Sequence, residues 1–347
     1  MRECLPGTIP NETNATCSDC AMCPPKGHTP EADDPVFYNP DTKCCSYLPM
    51  MWNFLTGAVL QDDSPEAARG RRTVEERIAA GIAVSPIGLE RTPVFHLLYS
   101  RIPEAFGRTR TLRCPHYIEE GGLCGVWRSR ESTCATWFCK HERGVVSKQF
   151  WRQLHRLLTI AERQLAAWVM VQLDIGVEAL KANFPFPEKE NFPVTGADFD
   201  GKPDPAVQRL RWGNWYGREH EFYRRASDLV RPLSWDKVRA IGNAELQVAE
   251  RIVQRAFADL NDTAVPAKLW GTEFSQRVGP DGVTLVTGYS GLDPLQLSRE
   301  VMSILPYFHG QTVRAARQQI LRELGLEVEL DLLRKLADFG VLTDSPG

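Results

Sequence analysis

Apolar residues recur every three or four positions from Ser147 to Leu173, at Phe150, Trp151, Leu154, Leu157, Leu158, Ile160, Leu165, Trp168, Val169 and Leu173. That period puts them on one face of a long amphipathic helix. Two more helices are predicted at 218–230 and 234–260, split by Arg231-Pro232 because proline cannot simply continue a helix. Upstream, 49–60 reads as a short packed helix or turn. Ser64-Pro65-Glu66 supplies an N-cap and first turn for a helix over 64–80 that ends near Gly81. Ser85-Pro86-Ile87-Gly88 interrupts regular structure. The stretch 93–100 carries Phe95, Leu97, Leu98 and Tyr99 as expected buried residues, in a span too short to separate helix from strand. Residues 183–216 read as loop or insert, anchored by Trp212 and Trp215.

The pattern changes at both ends. Residues 269–278 and 283–289 flank Gly279-Pro280-Asp281-Gly282, which predicts a hairpin, and helical segments follow at 294–307, 311–324 and 329–338. A hairpin beside three short helices is the make-up of a winged-helix-like module. Residues 1–48, rich in Cys, Pro, Asp, Thr and Asn, have no sustained period and too little apolar content for a core of their own. The expected fold is mainly α with a loop-rich metal-binding region. An N-terminal cysteine-cluster domain (1–146) leads through a helical domain with a loop insert (147–262) to a C-terminal winged-helix-like α+β domain (263–347).

Composition narrows the function. With 43% apolar and 24% charged residues the chain is an ordinary globular one, and its net charge of −3 gives no electrostatic reason to expect a nucleic-acid partner. No run approaches the eighteen apolar residues of a membrane span, and the polar sequence after Met1 does not read as a targeting segment, so a cytoplasmic location is expected. No phosphate-binding glycine motif, H-E-x-x-H zinc helix or serine nucleophile elbow occurs.

The ten cysteines at 4, 17, 20, 23, 44, 45, 114, 124, 134 and 139 then demand a reason, since the remaining 208 residues hold none. In a reducing compartment, clustered thiols favour soft metals over disulfides. Cys17, Cys20 and Cys23, spaced so that their thiolates turn back toward one centre, are followed by the adjacent pair Cys44 and Cys45. Cys114, Cys124, Cys134 and Cys139 form a second block among glycines and aromatics. Nine cysteines exceed the four of one zinc ion or one simple [4Fe–4S] cluster, and eight would hold two four-cysteine sites. His116 and His141, each two positions after a cysteine, are the candidate non-cysteine ligands. Cys4 stands apart from the dense block. Arg113, Arg128, Arg130, Lys140 and Arg143 crowd the second block, where they would offset thiolate charge or stay solvated.

This arrangement resembles the CxxCxxCC, or YkgJ-type, family of zinc- or iron-chelating cysteine-cluster proteins. The family's opening motif corresponds to Cys17, Cys20 and Cys23, with Cys44 and Cys45 as the displaced pair. Its later elements match Cys114, then Gly122-Leu123-Cys124 with Trp127, then Arg130 and Cys134 with Phe138 and Cys139. Two features depart from it: twenty residues interrupt the opening motif, and Glu131 stands where the family commonly has proline. The resemblance covers roughly 14–145.

The function expected is iron–sulfur cluster binding, one or two clusters of [4Fe–4S] type, in electron transfer or redox-linked modification of a protein or peptide. That partner would engage the C-terminal domain, as leader peptides engage small winged-helix domains in peptide-modifying systems. The alternatives are a structural zinc-binding interaction protein, or a metal or cluster storage and transfer protein.

Overall fold

The computed structural model describes residues 4–13, 16–24, 37–102, 105–184, 196–278 and 283–346. The chain is mainly helical, with several small sheets. The two longest helices, Gly144–Gln172 and Trp235–Asn261, pack along one another. Their joined faces follow the expected period, burying Phe150, Leu154, Leu157, Leu165 and Val169 from the first and Leu246, Val253 and Phe257 from the second. Ser234 caps the second by accepting from the Lys237 N–H, and Asn243, at φ +60°, marks a kink in it.

The helices Asn53–Leu60 and Glu219–Val230 lie against each other so closely that a Cβ on Gly57 would fall 1.8 Å from the Tyr223 carbonyl oxygen. Ser85-Pro86-Ile87-Gly88, expected only to break regular structure, is the turn of a small antiparallel hairpin. Gly88–Leu89 pairs with Val84–Ser85 on one side and Met51–Trp52 on the other.

Two other expectations need correction. Pro93–Arg101 is a helix capped by Thr92, and it lies at the surface, with Leu97 and Leu98 exposed and Phe95 and Tyr99 half-buried and stacked. Within 183–216, residues 185–195 lie outside the described residues, but Asp204 caps a helix Pro205–Trp212 by accepting from the Ala206 N–H. Trp212 and Trp215 are buried edge-on against Phe222.

One apolar core runs from Cys4 to Leu260, drawing on both the cysteine region and the long helices. A second runs from Leu269 to Leu342. Around the second core the strands Ser275–Val278, Thr284–Thr287 and Leu295–Leu297 form one sheet in that order, with Val278 opposite Thr284, while the expected turn at 279–282 lies outside the described residues. A second sheet sets Lys268–Gly271 between His309–Thr312 and Leu342–Thr343. The segment expected as helix 294–307 opens as strand, with helix Arg299–Ile304 following, and Val313–Leu324 and Leu330–Asp338 complete the unit.

Arg143 joins the two cores. Its guanidinium forms a two-pronged pair with Asp338, with Nε at 2.8 Å and Nη2 at 2.7 Å from the two carboxylate oxygens, and Nη1 donates to the backbone carbonyls of Leu260 and Asp262. Among the described residues no helix is long and apolar enough to cross a membrane.

Candidate metal centre

The centre is assembled from loops that ride on the helical core. A 3-10 turn at Lys43–Ser46 presents Cys44 and Cys45, and the Cys45 carbonyl accepts from the Cys114 N–H at 2.6 Å, which ties the two cysteine blocks together. A two-stranded hairpin, Tyr117–Ile118 with Leu123–Cys124, brings Cys124 back beside Cys114. This hairpin rests on the helix Ala68–Ala79, where a Cβ on Gly70 would fall 1.8 Å from the Gly125 carbonyl oxygen. Cys134 sits in the short helix Ser132–Thr136. The Glu131 carboxylate caps that helix by accepting from the N–H groups of Thr133 and Cys134, each at 2.7 Å.

Cys44 lies within electrostatic reach of each of the other eight cysteines of the two blocks: Cys17, Cys20, Cys23, Cys45, Cys114, Cys124, Cys134 and Cys139. The thiols of Cys20 and Cys23 interact with each other, as do those of Cys44 and Cys45, so each pair has one thiol pushed down and one pushed up. Burial pushes Cys17 and Cys139 up to about 11 and Cys114 up to about 12. Cys134 is raised by burial and then by the Glu131 carboxylate. Cys17, Cys114, Cys134 and Cys139 are therefore neutral at physiological pH until something compensates their charge. None of the ten cysteines is in a disulfide. Cys4 lies elsewhere in the core, its thiol raised to about 11 by burial and by Glu250.

Three cations face the thiols. The Lys43 ammonium donates to the carbonyls of Cys17 and Gly122, and its charge favours the thiolates of Cys20 and Cys23. The Arg130 guanidinium stacks 3.4 Å from the Trp127 ring centroid and donates to the Cys134 carbonyl at 2.9 Å, while its charge favours the thiolates of Cys17, Cys44 and Cys124. Arg77 is buried next to Cys114. Its Nε donates to the Ile82 carbonyl and its Nη2 to that of Glu90, but Nη1 has no hydrogen-bond partner among the described residues. A buried guanidinium with an unspent donor beside a buried thiol is costly as it stands. It would be stabilised if that sulfur carried negative charge.

Both candidate histidines bond through Nδ1 to a hydroxyl outside the cysteine set. His116 is buried, with Nδ1 2.7 Å from the Thr73 hydroxyl, and burial together with Arg77 pushes its pKa down to about 3. His141 faces the C-terminal unit, with Nδ1 3.3 Å from the Tyr289 hydroxyl and its backbone N–H donating to Asp293 at 3.0 Å. Burial pushes it down to about 4. Of the basic residues expected near the second block, Arg113 pairs with Glu119, Arg128 reaches Asp62 and Ser64, and Arg143 joins the two cores.

A cleft of about 400 Å³ opens on one flank of the centre, walled by Cys17 and Cys124 together with Val59, Ile118, Leu123 and Trp127. Its size is that of a small-ligand site. Sequence reasoning missed Lys43, Arg77, Glu131 and Tyr38, whose importance rests on what the fold brings near them.

Among the described residues no three His, Cys, Asp or Glu side chains are grouped so as to hold a single metal ion. The chemistry of the donor set nonetheless fits a thiolate-bound iron–sulfur group: soft ligands in excess of one ion's needs, three cations to offset their charge, and a buried arginine nitrogen lacking an acceptor. No family model matches the chain, and neither the curated proteins nor the solved structures contain a match.

Proposed function

We propose that this chain is an iron–sulfur protein of the cytoplasm, of the YkgJ-like cysteine-cluster kind, that carries electrons to, or modifies by redox chemistry, a protein or peptide partner. The observation that carries the reading is the backbone bond from Cys114 to Cys45 that ties the two cysteine blocks together, with the unspent Arg77 nitrogen buried next to Cys114. Cys17, Cys20, Cys23, Cys44, Cys45, Cys114, Cys124, Cys134 and Cys139 would hold one or two clusters, of [4Fe–4S] type by ligand count. Such a group supplies one-electron transfer. The chain's own residues supply the rest: Lys43, Arg77 and Arg130 offset thiolate charge, Glu131 orients Cys134, and the Cys17–Cys124 cleft gives access from one side. His116 and His141 serve as neutral hydrogen-bonding groups at the edge of the centre.

The winged-helix-like C-terminal unit would engage the partner. Its edge strand Ser275–Val278 pairs with Thr284–Thr287 on one side and has all four residues exposed, a surface that accepts an added peptide strand through backbone hydrogen bonds.

The test is iron, zinc and acid-labile sulfide per chain after anaerobic purification, with an optical spectrum of the same sample. About four or eight irons matched by sulfide are expected by ligand count. Cys44→Ser should lose most of the iron, whereas Cys4→Ser should keep it. Stoichiometric zinc without iron or sulfide would overturn the redox reading in favour of a structural zinc protein.

A further inference from the structure

Cys139 differs from the other clustered cysteines in what meets its sulfur. The Tyr38 hydroxyl lies 3.4 Å from Cys139 Sγ, and the Trp137 indole lies near enough to the same sulfur to favour its thiolate. An indole N–H donates and does not accept, so the sulfur is the acceptor there. Tyr38 is held for this contact from three directions. Its backbone N–H donates to the Met22 carbonyl at 2.7 Å, and its ring meets Phe106 edge-on at 5.5 Å. A Cβ on Gly107, at φ +81°, would fall 2.4 Å from the ring. Phe106 in turn meets Trp137 edge-on at 5.2 Å, so three rings form a wall over the sulfur, buried at Tyr38 and half exposed at Trp137.

A buried phenol ordinarily finds a strong acceptor. A neutral thiol is a weak one, and a thiolate bound to a cationic centre is a strong one, since charge shortens and strengthens the bond. The fold has therefore built a tightly enclosed place for a hydroxyl whose partner is worth having only when Cys139 is ionised.

We propose that Tyr38 and Trp137 are positioning residues that donate hydrogen bonds to the Cys139 thiolate and so raise the reduction potential of the centre. The inference rests on the iron–sulfur reading above. Negative charge on a ligand sulfur is greater in the reduced state, so two donors aimed at it stabilise the reduced form more than the oxidised one.

The test is an anaerobic redox titration of the full chain followed optically, on the wild type, Tyr38→Phe, Trp137→Phe and the double variant, with iron and sulfide measured on each. Tyr38→Phe keeps the ring and removes only the hydroxyl. Each single variant is expected to retain its iron and to shift the reduction equilibrium at least threefold toward the oxidised form. That is about 30 mV more negative at 59 mV per tenfold for one electron, with a larger shift in the double variant. Potentials that do not move in iron-replete variants overturn the proposal. If Tyr38→Phe fails to hold iron, Trp137→Phe, made at a half-exposed position, decides alone by the same criterion. A wild-type chain without iron and sulfide overturns the iron–sulfur reading itself, an outcome distinct from a cluster whose potential ignores both substitutions.

Discussion

Glu162 carries a consequence of burial that lies outside the cysteine set. The residue as a whole is half-buried, but its carboxyl end is enclosed against Ser132 and Glu131 and accepts from the Trp52 indole N–H at 3.0 Å. Burial, then the Glu131 charge, raises its pKa from the usual 4.5 to about 8. The folded chain thus keeps a proton there that the unfolded chain releases above pH 4.5. Unfolding releases a proton between those two values, so stability falls as pH rises through that window. Glu162→Gln should therefore raise the midpoint of thermal unfolding at pH 8 by roughly 2 °C, about 1 kcal/mol once partial solvent access is allowed for, and leave it unchanged at pH 4. Calorimetry at the two pH values checks the sign. Residues such as this one, like Lys43, Arg77 and Glu131, were not legible in the sequence, because a lone charged residue looks the same whether the fold turns it to water or to a thiol. The cysteines were legible, since spacing and number set them apart from any ordinary core.

At the level of elements, legibility follows length. The helices Gly144–Gln172 and Trp235–Asn261 repeat their apolar period over many turns and were expected within a few residues of where they lie. The two-residue strands Val84–Ser85, Gly88–Leu89 and Leu123–Cys124 are too short to carry a period, and they exist because tertiary packing supplies the partner. The close approach of Gly70 to the Gly125 carbonyl could not be read from sequence at all, yet it seats the Cys124 hairpin. Gly70→Ala should push that hairpin off its supporting helix, costing about 2 kcal/mol in denaturant unfolding and lowering iron per folded chain. Gly57→Ala, an equally tight contact between helices in the main core, should cost similar stability with iron per folded chain unchanged. Equal iron loss in both would mean that the hairpin seat has no special part in the centre.

Across the whole molecule, the two cores meet where the segment carrying Cys139, His141 and Arg143 passes between them. His141 reaches Tyr289 and Asp293, Lys148 donates to the Tyr289 carbonyl, and Arg143 holds the buried Asp338. Removing the guanidinium leaves a carboxylate without its partner in a place it cannot hydrate. Arg143→Ala should thus cost about 3 kcal/mol. Limited proteolysis should then cut first near 262–268, where the chain passes from one core to the other. Cleavage spread evenly along the chain would show that the pair does not govern this junction.

The spread of the clustered cysteines along the chain bears on how the protein is made. They run from Cys17 to Cys139, and the contact of Tyr38 with Cys139 closes over 101 residues. A ribosome delivers Cys17, Cys20 and Cys23 long before the second block emerges, so the nascent chain carries bare thiols with no companions while the rest is synthesised. Loop closure on this scale is slow compared with local helix formation. On the iron–sulfur reading proposed above, insertion of iron and sulfide would be a late event, and the interval before it is when oxidation of neighbouring thiols such as Cys20 and Cys23 would compete with assembly.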